Sequence, residues 1–102
     1  MLARLVLMVM GHALADFALQ SDWMAVNKSR HLNKTPVNWQ YVLGAHGLIH
    51  GLMVTLVTGN LLLGLLETVA HCAIDFGKCE GNYGIHADQF MHFACKVLWS
   101  VL

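Results

Sequence analysis

At 102 residues the chain is at most one domain, and with 57% apolar and only 12% charged residues it has too little polar surface to cover itself in water. Its formal charge is zero with histidines neutral and its six basic residues form no long run, which excludes the footprint of a nucleic-acid binder. Three cysteines, at 72, 79 and 95, without CxxC spacing, exclude a disulfide framework or zinc knuckle, and the compositional anomaly is the histidines, which number seven and exceed Lys plus Arg.

The first element is an apolar span over residues 2–20. Arg4 ahead of it gives the outline of a secretory signal, but His12 and Asp16 interrupt the run and no convincing small-x-small cleavage site follows, so it reads as a retained membrane helix. Residues 21–38, SDWMAVNKSRHLNKTPVN, are the one long polar stretch, hold the sole proline, Pro36, and read as a loop. The apolar segment from Trp39 to about Gly77 is about twice the length that one bilayer crossing requires. It must fold back at TGN, Thr58 to Asn60, because Gly and Asn tolerate the backbone angles of a tight turn between helices. After the loop KCEGNYG a last helix follows. The pattern therefore predicts an all-α chain: a single transmembrane domain over 1–102, an integral membrane four-helix bundle with helices near 2–20, 39–58, 60–77 and 85–102.

Loop charge gives an orientation. Lys28, Arg30, Lys34 and Lys78 lie in the first and third loops, with little beyond Arg4 on the opposite side, which puts those loops in the cytoplasm and both termini on the periplasmic side. Trp23 and Trp39 at one boundary and Trp99 at the other are expected in interfacial belts. Gly44, Gly47 and Gly51 form a small-residue face for close helix contact.

Each span carries polar groups at a four-residue offset. They are His12, Asp16 and Gln20; His46 and His50; Glu67, His71 and Asp75; and Asp88, His92 and Lys96. An i, i+4 offset is about 400° of rotation, so each set is a stripe on one helix face. The stripes fall late in the first and third helices and early in the second and fourth, which in an alternating bundle is one layer near the cytoplasmic side. A charged residue at mid-membrane costs about 2.5 to 3.5 kcal/mol on insertion scales, so the stripes must face inward and find partners. Histidine with carboxylate on facing helices is the ligand set of four-helix metal sites. One such pair alone is more commonly a hydrogen-bonded couple; the fourfold recurrence at one depth favours a divalent metal over a metal-free polar network. Zinc is slightly favoured over iron or manganese, and one or two ions fit the number of donors. A Glu67 to Lys96 ion pair would remove that carboxylate from the donors.

HALADFALQSDWMAVNK, AHGLIHG, ETVAHCAIDFGK and DQFMH, in this order, resemble the family of small bacterial and phage membrane proteins termed domain of unknown function 3307, over nearly the whole chain. The resemblance implies a multi-helix inner-membrane protein and highlights His12, Asp16, Gln20, Lys28, His46, His50, His71, Asp75, Lys78, Asp88, Gln89 and His92, with no established activity. A looser likeness of the HxxxD and HxxxH helices links the pattern to membrane metal hydrolases of the ceramidase and adiponectin-receptor group, by analogy only.

The leading expectation is a membrane-embedded metal-dependent hydrolase acting on a lipid or lipid-linked substrate at the cytoplasmic leaflet. Its metal ligands would come from His46, His50, His71 and Asp75, then His12, Asp16 and His92; Glu67 or Asp88 would be the general base; Lys28 and Lys78 would hold an anionic lipid headgroup. Two alternatives stand beside it: proton or metal-ion transport, for which a homo-oligomer would enlarge the enclosed space, and a small phage-type membrane effector without catalysis.

Overall fold

A computed structural model describes residues 1–102 and is all-α. Its helices are α1 (Leu2–Ala13), α2 (Asp22–Asn27), α3 (Trp39–Thr58), α4 (Leu61–Cys79) and α5 (Ile85–Val101), and a π-helical turn, Leu14–Ala18, continues α1. The four long elements run antiparallel in a bundle 42 Å long and just over 20 Å across.

α3 and α4 form the tightest pair. Gly59, in the left-handed conformation at φ 67°, ends α3, and Asn60 caps α4 by accepting from the Leu63 amide at 3.3 Å, so two residues reverse the chain. Along the pair, backbones meet at Gly51 and Gly64: a Cβ on Gly51 would lie 2.6 Å from the Gly64 carbonyl oxygen. The expected small-residue face is the α3–α4 contact, although Gly44, with nothing near it, takes no part.

Two features of the first forty residues differ from the expectation of one straight span and a loop. The Leu19 amide bonds back five residues to the Leu14 carbonyl at 2.9 Å, widening the helix by one residue at Asp16 before it ends. Ser21 then caps a separate short helix, its hydroxyl accepting from the Met24 amide at 3.1 Å, and Asp22 complements the exposed amides of its first turn. α2 turns the chain inward, and Asn27, Lys28 and Ser29 are buried.

The interior is inverted relative to a water-soluble bundle. Of 23 buried residues twelve are polar or charged and only seven apolar, while leucines, valines and phenylalanines of every long helix face outward. The small apolar cluster of Met8, Val54, Leu63 and Trp99 lies toward the Gly59 turn. Trp99 is thus packed inside, a correction to its expected interfacial place: its indole N–H finds an acceptor only in the interior, on Glu67. By length and composition α3 alone is long and apolar enough to cross a membrane.

Candidate metal centre

The polar stripes of α1, α3, α4 and α5 meet in the half of the bundle nearest the 28–38 and 80–84 loops. At the loop surface Arg30 and His31 both reach Glu80, His31 Nε2 at 2.6 Å. The Arg30 hydrogen bond holds the half-buried Glu80 carboxyl below its usual range. The Tyr83 hydroxyl donates to the Ile74 carbonyl, its ring covers Gly77, and burial pushes its own pKa up.

One step inward, Lys28 Nζ donates to Asp75 Oδ2 and to Gln20 Oε1, both at 2.6 Å. Lys78 lies 3.5 Å from the other Asp75 oxygen and 3.9 Å from Asp88. The expectation that Lys28 waits at the surface for a headgroup is therefore corrected: its side chain is 4% exposed, because α2 folds the polar loop back into the bundle. Lys78, at 28%, remains partly open.

The next layer is the histidine cluster around Asp16. Asp16 Oδ1 lies 3.2 Å from His46 Nε2 and 3.3 Å from His50 Nε2, the latter poorly aligned for a hydrogen bond. Gln89, placed by α5, donates to Asp16 Oδ2 at 2.9 Å and to Asp88 Oδ2 at 3.0 Å, which leaves its Oε1 to accept from His12 Nε2 at 3.0 Å. That contact assigns the His12 proton to Nε2 and leaves Nδ1 a bare lone pair. The rings of His50 and His71 stack at 3.6 Å, and His92 continues the stack at 4.2 Å from His71. His46 meets both His50 and His71 edge-on at 4.8 Å.

These imidazoles are sealed from solvent yet under-satisfied. The Nδ1 atoms of His12, His46, His50, His71 and His92, and the Nε2 atoms of His50 and His71, are buried without a hydrogen-bond partner. At about 1–3 kcal/mol for each, seven such atoms cost on the order of 10 kcal/mol, comparable with the net stability of a whole domain. Bare nitrogens crowded round a carboxylate are the donor set of a transition-metal ion. Donor atoms of Asp16, His46, His50 and His71 lie within 4.8 Å of one another, as do those of Glu67, His71 and His92.

Glu67 has other partners. Its Oε1 accepts from Lys96 Nζ and its Oε2 from the Trp99 indole at 2.6 Å, all three side chains buried. As a general base it is corrected, because both oxygens are committed to donors. Asp88 is less fully engaged: Oδ2 accepts from Gln89, while Oδ1 lies 3.3 Å from His92 Nε2 without a hydrogen bond. Asp75, expected among the ligands, lies at the edge of the cluster: its Oδ2 accepts from Lys28 and lies 3.6 Å from His46 Nε2 and 3.8 Å from His71 Nε2, while its Oδ1, 3.5 Å from Lys78 Nζ, has no hydrogen bond. Sequence reasoning did not foresee Gln89 as the strut between Asp16, Asp88 and His12 from its spacing, since it lies off the Asp88, His92, Lys96 stripe; nor did it see Tyr83, which carries no charge.

No curated protein and no solved structure matches the chain. A family match covers residues 4–101. By that match the chain belongs to the family described as Protein of unknown function (DUF3307).

Proposed function

We propose that this chain is a membrane-embedded metal-dependent hydrolase acting on a lipid or lipid-linked substrate at the cytoplasmic leaflet. The bilayer reading is supported by the inverted interior and by the 42 Å long axis, which compares with about 40–45 Å for a bilayer with its headgroups. Apolar side chains that would cost free energy in water become the lipid-facing surface, and the ionisable groups find one another inside. Helices shorter or more polar than α3 are then held by their packing in the bundle, α1 and α4 against α3 and α5 against α4 and α1.

The observation that carries the reading is a cluster of five buried histidines with seven unpartnered ring nitrogens, in which donor atoms of His46, His50 and His71 gather at Asp16. His46, His50, His71 and Asp16 are the residues that would hold a divalent cation, with His12 and His92 beside them. Such an ion acidifies a bound water and polarises a scissile carbonyl or phosphoryl group. Asp88, with its Oδ1 free of hydrogen bonds, would take the proton. The cluster reaches the surface only beside α1 and the π turn, where His12 and Asp16 are each 12% exposed, so substrate would approach along that side. Lys78, 28% exposed beside Asp75 and Asp88, would be the cation to meet an anionic headgroup.

A second reading, proton or metal-ion transport, is favoured by the polar column that continues past the cluster to Lys96 and Glu67. Two variants separate them. His50→Ala should lower metal occupancy and stability together, whereas Asp88→Asn should keep metal and fold while hydrolysis of lipid extract in proteoliposomes stops. Altered ion flux in Asp88→Asn with no product in wild type would replace the hydrolase by the transporter. A folded wild-type protein holding below about a tenth of an equivalent of metal would remove both metal readings.

A further inference from the structure

The four carboxylates and three lysines of the polar half of the bundle are not evenly paired. Asp75 is held by Lys28 and approached by Lys78, Lys78 also faces Asp88, and Glu67 is closed by Lys96. Asp16 alone has no lysine; its neighbours are the imidazoles and Gln89. In the formal count, with histidines neutral, four negative charges stand against three positive ones. One divalent cation with one anionic ligand brings this interior to neutrality, and a second would leave two uncompensated positive charges in a low-dielectric core. The second donor group, Glu67, His71 and His92, already contains the Lys96 ammonium on its only carboxylate. His71 is common to both groups, and its ring nitrogens face opposite ways: Nδ1 lies 3.8 Å from Glu67 Oε1 and Nε2 3.8 Å from Asp75 Oδ2. Serving two ions at once would require His71 to lose its remaining N–H proton.

Resting on the metal-centre reading above, we infer that the bundle holds a single divalent ion at Asp16, His46, His50 and His71, and that Lys96 is a built-in cation standing where a second ion would bind. Lys96 is then a residue that sets stoichiometry, acting through Glu67 without touching the bound ion.

Chelator-treated protein in detergent is titrated with zinc and, separately, with manganese(II) for electron paramagnetic resonance. Wild type should bind one equivalent of zinc and give the uncoupled six-line manganese spectrum. Lys96→Met, which keeps the chain length and frees Glu67 Oε1 while the Trp99 indole stays on Oε2, should bind two equivalents and give an exchange-coupled spectrum. Two equivalents in wild type overturn the inference while leaving the metal reading intact, as does a folded Lys96→Met that still binds one. No zinc bound to folded wild type overturns both. Where Lys96→Met does not fold, the wild-type stoichiometry and its spectrum decide alone.

Discussion

Replacing Lys28 by methionine removes one ammonium and little volume from a place where almost no water reaches. Lys28 and Asp75 side chains are 4% and 2% exposed and their charged atoms 2.6 Å apart. Removing one partner of a buried pair costs about 3–5 kcal/mol, chiefly because the other charge stays behind. Lys78 Nζ, 3.5 Å from the second Asp75 oxygen, remains and compensates in part. The expected loss is therefore at the lower end, about 3 kcal/mol or roughly a hundredfold in the unfolding equilibrium. Unfolding in mixed dodecylmaltoside and SDS micelles measures it, with exposed Lys34→Met as the control, expected within about 0.5 kcal/mol of wild type. Lys28 also pins the end of α2, so tryptic cleavage after Arg30 should accelerate in the variant. Adding Asp75→Asn removes the stranded charge and should recover part of the loss. If Lys28→Met unfolds like Lys34→Met, or the double variant is as unstable as the two losses added together, the buried pair is not what holds the loop to the bundle.

Gly51→Ala should weaken the α3–α4 contact by about 1–3 kcal/mol through overpacking, because the new Cβ falls 2.6 Å from the Gly64 carbonyl oxygen and 3.3 Å from Thr68 Cβ; Gly44→Ala, with open space around it, should be neutral in the same unfolding assay. The Glu80 carboxyl, lowered by its Arg30 hydrogen bond, contributes stability that is fully present above its usual 4.5 and is lost as pH falls through its lower folded value. Carbon-13 titration of labelled glutamate should find it below 4.5 and moved upward in Arg30→Gln; titration at or above 4.5 in wild type would break the loop clasp. In a cysteine-free background, labels at Asn33 and Asn82 should report the same side of the membrane, and opposite sides would end the shared-depth argument for the polar layer.

The long helices were legible because their signals are redundant. Gly59 and Asn60 make the reversal that their backbone preferences announce, and the i, i+4 stripes meet at one depth because four alternating helices leave no other place for them. The loop was not legible in the same way. SDWMAVNKSR is polar enough to pass for solvated chain, and hydropathy gives no sign that Lys28 is drawn inward by a carboxylate 47 residues away. Ser21 with Asp22 was a readable capping signal for α2 that the polarity of the stretch masked. The π turn, Leu14–Ala18, has no composition of its own that hydropathy or spacing could show. In the site, residue type and spacing named the histidines, but which carboxylates remain free depends on lysine reach: Lys96 and Lys28 take Glu67 and Asp75, and Asp16 is left to the imidazoles.

If the bundle sits in a bilayer as proposed above, the two-residue reversal between α3 and α4 bears on how the chain would enter it. α3 is apolar enough to partition alone, whereas α4 carries Glu67, His71, Asp75 and Lys78 and would expose them to hydrocarbon if it were released by itself. With Gly59 and Asn60 as the only connection, α4 cannot move far from α3 during synthesis, and the Gly51–Gly64 approach lets the two dock before α5 arrives. On the bilayer reading proposed above, the pair would insert as a hairpin with its polar stripe turned toward the late part of the first span, already made, where His12 and Asp16 lie. Lengthening that connection with a flexible Gly/Ser linker should leave the finished bundle intact on paper yet lower the yield of membrane-integrated protein, because α4 would face the lipid before its partner.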